Sequence, residues 1–150
     1  YMALSLLRNY FNILRDLVEK GQYQASEDIC AEVVELAQQI AEVNPLNAGS
    51  LLRNYFNILR DLVEKGQYKV AEKIVEEIVS KVMELAQQIA EIDTWSSGFL
   101  LLGFFSVLKV LIEKGRYQQV KNIIKIIEKN NNLSKLMKDE ISKLEESMSN

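Results

Sequence analysis

Near the start of the chain the hydrophobic positions recur at spacings of three and four. Leu6, Leu7, Tyr10, Phe11, Ile13, Leu14, Leu17 and Val18 form one broad stripe, with Arg8, Asn12, Arg15 and Glu19 opposite it. A period near 3.6 predicts an amphipathic α-helix. The pattern stops at EKGQY, where Lys20 lies in the last turn and Gly21 suits the left-handed position after a helix. A second helical pattern follows, carrying Ile29, Cys30, Val33, Leu36, Ala37 and Ile40.

The first pattern then returns letter for letter. SLLRNYFNILRDLVEKGQY occupies 5–23 and again 50–68, and LLLGFFSVLKVLIEKGRY at 100–117 aligns on 51–68 without gaps. The third copy keeps Leu100, Leu101, Phe105, Leu108, Leu111, Glu113, Lys114, Gly115 and Tyr117. ELAQQIAE appears at 35–42 and 84–91. Gly21, Gly66 and Gly115 share one register, which marks them as helix C-caps rather than a phosphate-binding loop. In the second unit the next helix carries Ile74, Val75, Ile78, Val79, Val82, Leu85, Ala86 and Ile89. It reaches ELAQQIAE four residues later than in the first unit, about one helical turn, so the insertion lengthens the helix and keeps its buried face.

Asn44 before Pro45 predicts the start of the second unit, and Asp93, Thr94 or Ser96 in DTWSSG the start of the third. The third unit has a shorter second helix, about 117–129, broken by NNN at 130–132. A final helix at 133–148 places Leu133, Leu136, Met137, Ile141 and Leu144 on one face. The expected fold is all-α: three stacked antiparallel helical hairpins plus a C-terminal helix, seven helices in a solenoid or bundle. The expected units of this single domain are about 1–45, 46–94 and 95–132.

The stretch NPLNAGS…LVEKGQYKVAEKI resembles the tetratricopeptide repeat, with its turn before the first helix and its glycine, aromatic and small residue after it. The series is Gly66, Tyr68, Ala71 in the second unit, Gly21, Tyr23, Ser26 in the first, and Gly115, Tyr117 with the bulkier Val120 in the third. The resemblance implies helix pairs stacked into a right-handed superhelix with a concave peptide-binding groove. The repeat spacings, 45 and 49 residues, exceed that family's period, and Leu14 and Leu59 stand where it places a small residue. Packing does not require the outward Arg8, Asn9, Asn12 and Arg15, yet Arg53, Asn54, Asn57 and Arg60 reproduce them. That points to a designed or engineered scaffold that reuses one helix, with a very recent duplication as the alternative.

Composition narrows the chemistry. At 48% hydrophobic and 26% charged residues the chain matches an ordinary soluble domain. A net charge of −3 favours neither nucleic acid nor an anionic membrane. With no histidine and one cysteine, neither a zinc site nor a Glu-x-x-His di-iron site is expected. Cys30 aligns with Val75 and Ile124, a core slot, so packing rather than reactivity is expected of it. Glu72 and Glu76 read as surface partners of Lys69 and Lys73. No catalytic residue, cofactor or metal is expected. YMALSLLRNYF lacks a basic segment and a cleavage site, which predicts a soluble cytoplasmic protein, and Tyr1 before Met2 fits a tag remnant.

The third unit departs from its siblings in one direction. Ser50, Arg53, Asn54, Asn57 and Asp61 become Phe99, Leu102, Gly103, Ser106 and Val110, a stripe on the face that was polar. A helix apolar on nearly all sides expects contact all round. The leading expectation is that helix 133–148 folds over this stripe, as the end of a repeat stack requires. Otherwise the stripe serves a helical peptide, a protein partner or a second copy of the chain, with Trp95 and Phe99 as anchors and Gly103 and Ser106 allowing close approach. A membrane span is the weakest reading, since GFLLLGFFSVLKVLI contains Lys109 and falls short of the ~20 residues a bilayer needs.

Overall fold

The protein is all-α; the computed structural model describes the backbone of residues 2–129 and 133–149. Within that description the side chains of residues 2–4, 7, 26, 27, 30 and 31 are not included, so the reading of Cys30 as a core residue lies outside the described residues. The described helices are α1 (Met2–Glu19), α2 (Tyr23–Val43), α3 (Pro45–Glu64), α4 (Tyr68–Ala90), α5 (Thr94–Glu113), α6 (Tyr117–Glu128) and α7 (Lys135–Ser149).

The boundaries follow local chemistry. Gly21, Gly66 and Gly115 take φ of 76°, 81° and 77°, a region costly for any residue with a Cβ. At the first of these turns Gly21 N–H donates to the Val18 carbonyl at 3.1 Å and Gln22 N–H to the Leu17 carbonyl at 2.9 Å. The same pair of bonds closes α3 and α5, satisfying carbonyls that a helix end leaves without partners. Asn44 caps α3, its side chain accepting from Asn47 N–H at 3.3 Å, with Pro45 at the first helical position. Asp93 caps α5, accepting from Trp95 N–H at 3.0 Å and Ser96 Oγ at 2.9 Å. The last helix begins two residues later than its hydrophobic pattern suggests, because Ser134 Oγ accepts from Met137 N–H at 3.2 Å and acts as its cap. The inserted turn does lengthen α4, which has 23 residues against 21 in α2.

Two layers result. α1, α3 and α5 lie side by side in one, α2, α4 and α6 in the other, and each helix also packs on its sequence neighbour. One buried apolar cluster runs between the layers from Phe11 to Leu144, with Tyr55, Phe56, Phe104 and Phe105 as its large aromatic members. Ring contacts stitch the first layer: Phe11 to Tyr55 at 5.9 Å and Phe56 to Phe104 at 5.8 Å between centroids. Ser97, which replaces Ala48 in register, is buried and donates to the Ala86 carbonyl at 2.6 Å, so its hydroxyl is satisfied.

The structure revises one assignment and sharpens another. Glu72 is not the surface residue that its lysine neighbours suggest. It is buried and receives two hydrogen bonds from Arg116, Nε to Oε1 at 2.6 Å and Nη2 to Oε2 at 3.2 Å, which tie α4 to the start of α6. The α5 helix has 20 residues and is apolar enough to cross a bilayer by length and composition, but half of it is buried within the fold. It is the central helix of the C-terminal half, in contact with α3, α4, α6 and α7.

Candidate interaction face on the third hairpin

The faces of α1, α3 and α5 turned away from α2, α4 and α6 carry the residues that distinguish the units. In α1 and α3 this surface is polar: Arg8, Asn12, Arg53 and Asn57 are exposed, and Arg60 is half-buried. The register positions of Ser50 and Arg53 hold Phe99 and Leu102 in α5. Trp95, Phe99 and Leu102 are 78%, 50% and 38% exposed and follow one another at spacings of four and three, hence on one side of the helix. The Trp95 and Phe99 rings lie 6.3 Å apart and tilted, forming a continuous aromatic surface. Ile92, just before the Asp93 cap, is exposed as well.

Arginines of α3 border this strip. Arg53 Cζ sits 5.7 Å from the Phe99 ring centroid, in cation–π range. Arg60 donates to Ser106 Oγ at 3.0 Å and to Asn57 Oδ1, which fixes its guanidinium along the α3–α5 seam. With Arg8 and Arg15 on α1, and with Asp16 and Asp61 also exposed, the outward surface runs from a mixed-charge field rich in arginine into an apolar strip.

The six residues singled out by sequence therefore divide. Trp95, Phe99 and Leu102 form the exposed strip. Gly103 and Ser106 do not admit a foreign helix; they serve the contact with α3. A Cβ on Gly103 would meet Phe56 Cδ2 at 3.0 Å, and Ser106 bridges Arg60 to the Gly103 carbonyl, donating to the latter at 2.6 Å. Val110 is half-buried against the core. The terminal helix does not cover the strip as expected. It packs on a neighbouring face of α5, where a Cβ on Gly98 would meet Leu136 Cδ2 at 3.5 Å and Lys109 Nζ reaches Glu140 Oε2 at 3.3 Å. The reason lies in register: Gly98, Phe105 and Lys109, spaced seven and four apart, face the next position in the layer, and α7 occupies that position.

The remaining concavities offer little chemistry. A cleft of about 180 Å³ between α2, α3 and α4 has Ala37, Ala41, Leu52 and Val82 in its wall and Lys81 and Glu84 at its rim. No nucleophile–base pair converges there. Among the described residues no group of three or more histidine, cysteine, aspartate or glutamate side chains could hold a metal ion. Two polar pairs do perturb their groups. Hydrogen bonding to Glu72 raises the Arg116 guanidinium above its ordinary pKa, and a hydrogen bond to Glu32, helped by that carboxylate's charge, raises the Tyr10 phenol above its usual value of 10. Both pairs join neighbouring helices and belong to structure.

No family model, no curated protein and no solved structure matches the chain.

Proposed function

We propose that this protein is a non-catalytic helical-repeat scaffold that binds a protein segment through the outward face of its third hairpin. The observation that carries the reading is the strip of Trp95, Phe99 and Leu102, exposed in the one unit where the polar pattern is abandoned. Three large apolar side chains in line on a rigid helix are the anchors expected of a binding face, and tryptophan and arginine are the residues that most often dominate such faces. The border of Arg53 and Arg60 selects the partner's chemistry: an acidic amphipathic segment whose apolar side meets the strip and whose carboxylates meet the arginines.

The tetratricopeptide resemblance supports the reading, since it implies a peptide-binding groove formed by stacked helix pairs. The unbroken identity of 5–23 and 50–68, outward residues included, supports an origin in the deliberate reuse of one helix. The test is fluorescence anisotropy of a labelled acidic amphipathic peptide titrated with the protein. Saturable binding that Leu102→Arg and Arg53→Glu each weaken at least tenfold, with unchanged melting, is the expected result. Binding unaffected by either substitution, or none at millimolar protein, contradicts it. Concentration-dependent mass that Leu102→Arg abolishes would instead make a second copy the occupant of the strip.

A further inference from the structure

The contacts of the α1–α3–α5 layer follow one rule, which leaves one half-contact open on α1 and gives the other, on α5, to α7. In repeat register Phe11 and Phe56 share one position, and Tyr55 and Phe104 share another. Each first helix thus sends a phenylalanine toward the next unit and receives one from the unit before, at 5.9 Å and then 5.8 Å between centroids. At the front of the stack, Tyr10 holds the receiving position. Beside it Leu6 and Ile13 are 43% and 47% exposed, whereas their counterparts Leu51 and Ile58 are 7% and 2% exposed because α1 lies against α3. At the back, Phe105 holds the sending position on the face of α5 occupied by α7.

We propose that the protein assembles head to tail with itself, the α1 edge of one copy taking the place of α7 on α5 of the next. The occupant is a second copy because the free edge is, residue for residue, the face that α3 already buries on α1. The site it takes is the equivalent of the one α1 gives to α3, with Phe105 set to meet Tyr10 of the second copy as a third aromatic contact in the series. The present occupant is a poorer match. Helix α7 buries the Glu140 carboxylate, which pairs with Lys109 at 3.3 Å and Lys143 at 3.5 Å, although its Oε2 receives no hydrogen bond. Burying a carboxylate without full hydrogen bonding is unfavourable. Exchange returns Glu140 to water and buries Leu6 and Ile13, but it uncovers Met137, Ile141 and Leu144 and breaks the Glu140 ion pairs, so assembly is expected once α7 is loosened. Such a contact joins different surfaces of the two copies and extends into rings or filaments rather than closing as a dimer. In the isolated chain α7 then acts as a removable stop.

The test is sedimentation velocity of the full chain over a hundredfold concentration range, in variants that loosen α7 or spoil the α1 edge. Leu144→Asp, which breaks the buried face of α7, is expected to produce species larger than dimer, and Leu144→Asp with Ile13→Asp to return to monomer. Phe99→Ser, on the outward face, should leave this assembly unchanged, which separates it from peptide binding. If circular dichroism shows that Leu144→Asp unfolds the chain, Glu140→Lys loosens α7 by repulsion from Lys109 and Lys143 while keeping its apolar contacts. A monomer throughout in a folded, loosened variant overturns the proposal. So does assembly that Ile13→Asp does not prevent, since that would be unspecific sticking of the uncovered α5 face.

Discussion

Helices α1 and α3 share the same residues from Ser5 to Glu19 and from Ser50 to Glu64, yet the stack treats them differently. Leu51 and Ile58 are core residues, while Leu6 and Ile13 are nearly half exposed. The letters specify a helix with apolar residues on two sides; neighbours decide how many of those sides are buried. Helix α1 has a layer partner on one side and α3 has one on each. Helix α5 extends the comparison. It keeps the two buried sides and adds a third apolar side, outward, that no helix among the described residues covers.

The difference between α1 and α3 is most easily broken at its buried positions. Ile58→Ala should cost about 2–4 kcal/mol, as for other fully buried aliphatics, and Ile13→Ala under about 1 kcal/mol. Urea unfolding of the two variants gives both numbers, and equal losses would show that α1 is as covered as α3. A similar asymmetry is expected at the register of Gly103. Gly103→Leu drives a side chain into Phe56 and should destabilise by about 1–3 kcal/mol, whereas Asn54→Leu, at an exposed position, should stay within about 0.5 kcal/mol.

Smaller effects sharpen the picture at the edges. Arg116→Met removes the partner of buried Glu72; because the guanidinium side is 35% exposed, the expected loss is about 1–2 kcal/mol, below that of a fully buried pair. Thermal unfolding of Arg116→Met beside Glu72→Gln and the double variant would measure the coupling. The smallest effect is the titration of Tyr10. Its pKa is raised in the folded chain, so the stabilisation from its hydrogen bond to Glu32 is fully present below the unfolded value of 10 and is lost as pH rises through the folded one. Ultraviolet titration should show a phenol ionising above pH 10 that Glu32→Gln moves down, and a midpoint unchanged by that substitution would remove the contact from the account.

Much of this fold was legible in the sequence. The three glycine C-caps, the Asn44 and Asp93 N-caps and the helical periodicity are local signals, and local signals survive without knowledge of the rest of the chain. The apolar outward stripe of α5 was legible too, because two sibling helices supplied the reference. The cover of that stripe was not. The face of α7 made by Met137, Ile141 and Leu144 says that this helix must pack, but not on which side of α5. Glu72 was missed for a related reason. Its lysine neighbours at i−3 and i+1 suggested a solvated face, while its partner Arg116 lies on another helix. A signal did exist: Glu72, Val75 and Val79 share a face, and Arg116 replaces Gln22 and Gln67 of the earlier units. The open edge of α1 could not be read at all, since its residues are those of the buried edge of α3.

The central claim is that the exposed strip on α5 is a binding face, and the chain carries its own reporter there. Trp95 is the sole tryptophan and is largely exposed. Its fluorescence should be followed while an acidic amphipathic peptide is added to the wild-type chain and to Leu102→Arg. A saturable blue shift in the wild type, lost in the variant, is the predicted result. Emission that stays at the solvent-exposed wavelength while the peptide binds elsewhere, or a shift that Leu102→Arg leaves intact, would contradict the assignment of this face.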